Sequence, residues 1–164
     1  MFEQLLTTAL HEMEQGRPVL LVSVARATGS TPRKEGAMLL AGTQGLLCGT
    51  IGGGLLEHRC LELAAAQPTY GHLMRFELDN RKAGSLGMVC GGSTEVLFTP
   101  LTDPAPLRTA LSALQNRTPV WLCLPFDGTT PYIAQDSALP TRPTILSQNS
   151  KDALCMPLTD AGRV

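Results

Sequence analysis

G-L-L-C-G-T-I-G-G-G-L-L-E, Gly45 to Glu57, runs from a strand-like apolar stretch through three consecutive glycines into a helix-like segment that continues to Ala66. Glycines at such a junction remove side chains, so backbone N–H groups can turn toward one point. The start of the helix adds its own unpaired amides and the positive end of its dipole. That combination suits an anion, such as a phosphate on a cofactor. A tight strand-to-helix turn without a ligand accounts for the glycines equally well. The better-known phosphate loops are not matched. Gly49 to Gly54 does not have the G-x-G-x-x-G spacing of a dinucleotide fingerprint, and Leu55 stands where a P-loop requires Lys.

The totals narrow the class. A chain of 164 residues allows one domain with a sizeable core. With 43% apolar residues, 16% charged residues and a net charge of -1, neither a nucleic-acid-binding surface nor a disordered tail is supported. No apolar run has membrane-spanning length, and the N-terminus, Met1-Phe2-Glu3-Gln4, is unlike a basic-then-apolar export signal. The five cysteines are odd in number and form no C-x-x-C pair, which argues against a disulfide framework or a zinc site. A reduced, cytoplasmic protein is expected.

Outward from the glycine run, apolar periodicity predicts a helix from Phe2 to Met13, stopped by Gly16, and a strand buried on both faces from Val19 to Val24. Ala27 to Gly36 is polar and turn-rich. It reads either as an exposed connection or as a ligand loop at a strand end, where Arg33 could offer a forked cation to a phosphate or carboxylate. A hairpin is expected around Gly42-Thr43-Gln44-Gly45. Leu73 to Leu78 and Thr94 to Phe98 read as strands, Asp103-Pro104 as the start of another helix, and Val120 to Leu124 as a further strand. Glu57 falls in the first turn after the glycines, where a carboxylate suits the helix dipole, so capping is its simplest role.

Among the cysteines, Cys48, Cys60, Cys123 and Cys155 read as small packing hydrophobes. Cys90 differs, because Gly91 and Gly92 follow it and a polar loop precedes it. Glycine-rich backbone exposes amides that stabilise a thiolate, the form that attacks or binds metal.

Three segments stand in order: G-S-T-P-R-K-E-G (Gly29 to Gly36), G-T-I-G-G-G-L-L-E (Gly49 to Glu57) and G-M-V-C-G-G (Gly87 to Gly92). Together they resemble the N-terminal domain of the XdhC/CoxI family, accessory proteins for molybdenum hydroxylases such as xanthine dehydrogenase. The resemblance covers roughly residues 1–100 and extends toward Phe126. It implies a chaperone that binds molybdenum cofactor as cargo, assists its sulfuration and inserts it into a client hydroxylase. Carried onto this chain, the candidate cofactor-binding residues are Ser30, Arg33, Thr50, Gly52, Gly53, Gly54, Glu57, Cys90, Gly91 and Gly92. Cys90 is also the candidate molybdenum contact, since a soft thiolate can approach a sulfur-bound metal. The partners implied are the client hydroxylase and a cysteine desulfurase or cofactor-synthesis protein.

The expected fold is α/β: a single domain with one mixed sheet flanked by helices and the motif loops at one edge, without the C-terminal Rossmann-like domain of typical members. Residues 1–126 are expected to form that domain and 127–164 an irregular extension with short strand fragments. Unpaired sheet edges favour a homodimer. Two other functions fit the residues: a small enzyme with Cys90 as nucleophile and Glu57 or a histidine as base, or an interaction module whose glycines serve packing alone.

Overall fold

The computed structural model of the chain describes residues 2–29, 35–78, 92–135 and 140–158. Its centre is β1, Leu20–Thr28, whose residues Leu20 to Ala25 are all buried. β1 is flanked on one side by the hairpin of β2 (Met38–Gly42) and β3 (Gly45–Thr50). On the other side lie β5 (Ser93–Pro100) and then β4 (His72–Glu77), giving the order β3-β2-β1-β5-β4. Because side chains alternate along a strand, β1 feeds two cores. Leu20, Val22 and Val24 face one side, where Leu39, Val96 and Phe98 join them under α2, Gly54–Ala66. That helix contributes Leu56, Cys60 and Ala64.

Leu21 and Ala25 face the other side, with Leu40 and Leu97. This side is closed by a second sheet of β6 (Val120–Pro125), β7 (Tyr132–Ala134), β8 (Thr144–Gln148) and β9 (Lys151–Leu158), in the order β7-β6-β9-β8. Leu122, Leu124, Leu154 and Met156 meet the first sheet there. α1 (Phe2–Glu14) and α3 (Ala105–Gln115) seal the same core with Leu5, Leu6, Ala9 and Leu10 and with Leu107, Ala110 and Ala113. No helix among the described residues is long and apolar enough to cross a membrane.

The α/β class and the flanking helices are as expected, but the sheet differs from the expected mixed one. Among the described residues, every strand pair is antiparallel. The strand–glycine–helix–strand order suggests a crossover between parallel neighbours, and β3 and β4 do run the same way. They are the two edges of the sheet, however, with β2, β1 and β5 between them. α2 therefore crosses the whole face instead of joining adjacent strands. The stretch 127–164, set apart from the sequence as irregular, supplies β7, β8 and β9. Its prolines and polar residues fall largely between these strands, and β9 gains order by pairing with β6 along its length, from Val120↔Leu158 to Pro125↔Ala153.

The two halves of the chain also meet backbone to backbone. Gly71, just before β4, lies against Gly128 in the turn after β6, and a Cβ on Gly71 would fall 2.6 Å from the Gly128 Cα. No flexible side chain can yield at that contact. Gly71→Ala is expected to cost about 1–3 kcal/mol, the range for overpacking a tight site. Urea unfolding at an unchanged midpoint would show that the two loops part freely.

Candidate functional site

β3 delivers the chain at Thr50 to Ile51 and the glycine run, and three left-handed residues follow: Gly52 at φ 127°, Gly53 at φ 71° and Gly54 at φ 65°. Gly53, the residue before α2, combines its φ with ψ −168°, a region that glycine alone occupies at low cost. The turn aims donors inward at one atom, Glu57 Oε1. It accepts the Thr50 hydroxyl at 2.6 Å, the Ile51 amide at 2.9 Å and the Gly53 amide at 3.3 Å. Thr50 Oγ1 accepts in turn the Gly52 amide at 3.1 Å. The anion in this cradle is thus the chain's own carboxylate, held at the positive end of the helix it belongs to. The capping role read from the sequence and the anion cradle are one feature.

The outer side of the turn is open. A Cβ on Gly53 or Gly54 would meet no atom within 4 Å, and Leu55 beside them is exposed. Helix geometry also gives the first-turn amides of α2 no intrahelical acceptor.

The first and third motifs lie elsewhere on the same sheet. β1 ends at Thr28, opposite Ser93 at the start of β5. The two hydroxyls are 2.9 Å apart, and the Ser93 amide donates to Thr28 Oγ1 at 3.2 Å. Gly92, at φ 84°, rests on this junction: a Cβ there would lie 1.9 Å from the Thr28 carbonyl oxygen and 3.0 Å from the Gly29 Cα. Its carbonyl accepts the Leu78 amide at 2.9 Å. On the far side of the first motif, the Ala27 amide donates to Glu35 Oε1 at 3.2 Å. Gly29 and Gly92, which border the segments carrying Ser30, Arg33, Cys90 and Gly91, are thereby brought into contact. Those four residues lie outside the described residues. Thr28 and Ser93 were not singled out from the sequence, and their only signal was a hydroxyl beside a glycine at each strand end.

The register shows that all three segments leave the sheet at the same end, but not at one point. Thr50 is level with Met38 and hence with Ser23. The Thr28–Ser93 junction stands further along β1, about 15 Å beyond Ser23 at strand rise, and two strands, about 10 Å, to the side.

Among the described residues no group of three or more His, Cys, Asp or Glu side chains could hold a metal ion. Burial pushes the Cys60 thiol up to about 12 and raises that of Cys48, so neither supplies a thiolate at neutral pH. Arg26 is already engaged, donating to Glu95 at 2.9 Å with its guanidinium over the Phe126 ring at 5.3 Å.

Residues 13–77 match the model of the XdhC and CoxI family. The matched segment covers under half of the chain. It runs from the end of α1 to the end of β4 and contains the first two motifs whole. The chain is also 33% identical over 95 residues to YqeB of Escherichia coli (strain K12), a protein described as uncharacterised, in a match covering 57% of this chain and 17% of that protein. A crystal structure described as a xanthine dehydrogenase from Bacillus halodurans superimposes with a TM-score of 0.67 at 23% identity, covering 84% of this chain and 43% of that one. At that identity the likeness is one of fold. The chain spans well under two thirds of either relative.

The cradle generates a direct test. Glu57→Ala leaves two amides and a hydroxyl without their acceptor and is expected to cost about 1–3 kcal/mol, with Glu57→Gln costing less because its carbonyl can still accept. Equal urea midpoints for wild type and Glu57→Ala would mean that the carboxylate does not hold the turn.

Proposed function

We propose that the chain is the cofactor-handling part of an accessory protein for molybdenum-hydroxylase maturation. In this reading it binds molybdenum cofactor as cargo, assists its sulfuration and passes it to a client hydroxylase in the cytoplasm. The observation that carries the proposal is the family match over residues 13–77, which includes the glycine cradle and the arginine-bearing loop. The meeting of Gly29 and Gly92 supports it, since that contact tethers the Arg33 and Cys90 segments at a common origin.

The cargo is a pterin bearing a dithiolene-bound metal and a terminal phosphate, and among the described residues the open turn at Gly53 and Gly54 suits its ring. Glu57 Oε1 already takes the inner donors of the cradle. A phosphate would have to displace that carboxylate, at the cost of three hydrogen bonds and against its charge. The phosphate is therefore better assigned to Arg33 and Ser30 of the first motif, a guanidinium and a hydroxyl of the kind that binds such an anion. The open backbone of Gly53 and Gly54 and the first turn of α2 then offer a flat surface and amide donors to the polar ring edge. Cys90, backed by Gly91 and Gly92, is the soft donor suited to the metal end. A client hydroxylase, a cysteine desulfurase or cofactor-synthesis protein, and a second copy of the chain are the partners this role would call on.

Two substitutions separate the ends of the cargo. Arg33→Ala is expected to lower retained pterin roughly 10-fold, the value of one charge-assisted hydrogen-bonding partner, without moving the melting temperature. Chain purified from cofactor-producing cells and assayed for released pterin would report this, and unchanged retention would remove Arg33 from the site. Cys90→Ser is expected to keep pterin but to reduce reconstitution of apo-hydroxylase activity sharply, since a hydroxyl is a harder donor with a far higher pKa. Equal reconstitution by both chains would end the role of Cys90.

A further inference from the structure

Cys123 and Cys155 occupy facing positions on the two central strands of the second sheet. Cys123 of β6 is directly opposite Cys155 of β9, and the two sulfurs lie 2.7 Å apart. Both are nearly inaccessible, at 1% and 2% exposure, in a cluster with Trp121 and Ala153. Directly opposed residues in an antiparallel pair have Cα atoms about 4.5–5.5 Å apart, within the span of about 4.4–6.8 Å that a disulfide bridges. Their facing register and the closeness of the sulfurs place them within reach of a bridge. We propose that Cys123 and Cys155 form a peroxide-sensitive dithiol that closes to a cross-strand disulfide, a modification site apart from the three motif loops.

The surroundings favour a small oxidant. The row across the sheet reads Tyr132, Cys123, Cys155, Thr144. A depression of about 440 Å³, bordered by Tyr132, Ala153 and Lys151, opens beside this row. Neither cysteine lines that depression, so a reagent has to be as small as a peroxide to reach the covered sulfurs, whereas a bulky disulfide reagent would have to part the strands. The thiols share a hydrogen bond that favours ionisation of one of them: it holds Cys155 below the usual cysteine range and pushes Cys123 up. The Cys155 thiolate attacks one oxygen of hydrogen peroxide and the O–O bond breaks. The product is a sulfenic acid on Cys155 and a hydroxide that leaves as water after taking a proton. Cys123 then attacks the Cys155 sulfur as its own proton is lost, the S–O bond breaks and a second water departs. Two thiols and one peroxide give one disulfide and two waters. The link ties together strands whose cysteines are 32 residues apart in sequence, and it should stiffen the sheet through the loop it closes.

Treating the purified chain with about one equivalent of hydrogen peroxide tests this. The intact mass should fall by two hydrogens, and a peptide map should show Cys123 joined to Cys155. The melting temperature should rise by several degrees, and dithiothreitol should reverse all three changes. Cys123→Ala and Cys155→Ala should each abolish the linked peptide. If either variant fails to fold, the wild-type map decides alone. Alkylation of both thiols after unfolding of the peroxide-treated chain would overturn the proposal, as would a disulfide or oxidised product confined to Cys48, Cys60 or Cys90.

Discussion

A strand of Leu, Val and Ala that is apolar on both faces has to be covered on both, and most of this molecule follows from covering β1. Each fully buried Leu or Val is worth about 1.5–3 kcal/mol relative to exposure, so leaving either face to solvent would forfeit several such terms. One face takes α2, which must span the sheet from edge to edge because the strands it connects are the two edges. The other takes an entire second sheet with α1 and α3 along its margin. The three-layer arrangement is the solution to that single requirement, and it leaves the ends of the first sheet free to carry loops.

The glycine turn shows how such an end can be finished. Its inward amides converge on one point, and an empty cradle there would leave several donors unsatisfied in a partly buried place. The chain fills it with Glu57, placed one helical turn later, so that the carboxylate satisfies the donors and lies at the helix dipole's positive end. A cradle already occupied by a negative charge is a poor site for a second one. It is better suited to present backbone outward at Gly53 and Gly54, where no atom stands in the way. Gly92 has the opposite reason to be glycine. There the neighbouring backbone is so close that no side chain fits, and the contact fixes where two motif-bearing segments begin.

Much of this was legible in the sequence, because the signals were local. The period-2 pattern of Met74, Phe76 and Leu78 identified β4 and its buried face. Helical spacing gave α2 with Leu56, Cys60, Leu61, Leu63 and Ala64 expected inside; Leu56, Cys60 and Ala64 are its inner stripe, and Leu61 and Leu63 are only half-buried. The Gly42–Gly45 hairpin and the capping position of Glu57 follow from turn chemistry and the helix dipole, which depend on neighbours a few residues away. The segment that matches the family model, too, carries two of the three motifs on which the resemblance rests.

Pairing partners were not local and could not be read. Which strands lie side by side decided that the sheet is antiparallel, not mixed, since β3–α2–β4 has the same linear pattern whether its strands are neighbours or opposite edges. Long-range pairing made β9 a full strand of the second sheet, where its own sequence, interrupted by Pro157, gave only fragments. It also set Cys155 against Cys123, two cysteines that singly read as packing residues. The sequence by itself determined the elements, their buried faces and the chemistry of each loop, because those are fixed by side-chain periodicity and backbone conformation. The tertiary structure alone decided which elements and which side chains meet, because hydrogen-bonded register between distant strands is settled only when both cores are buried at once.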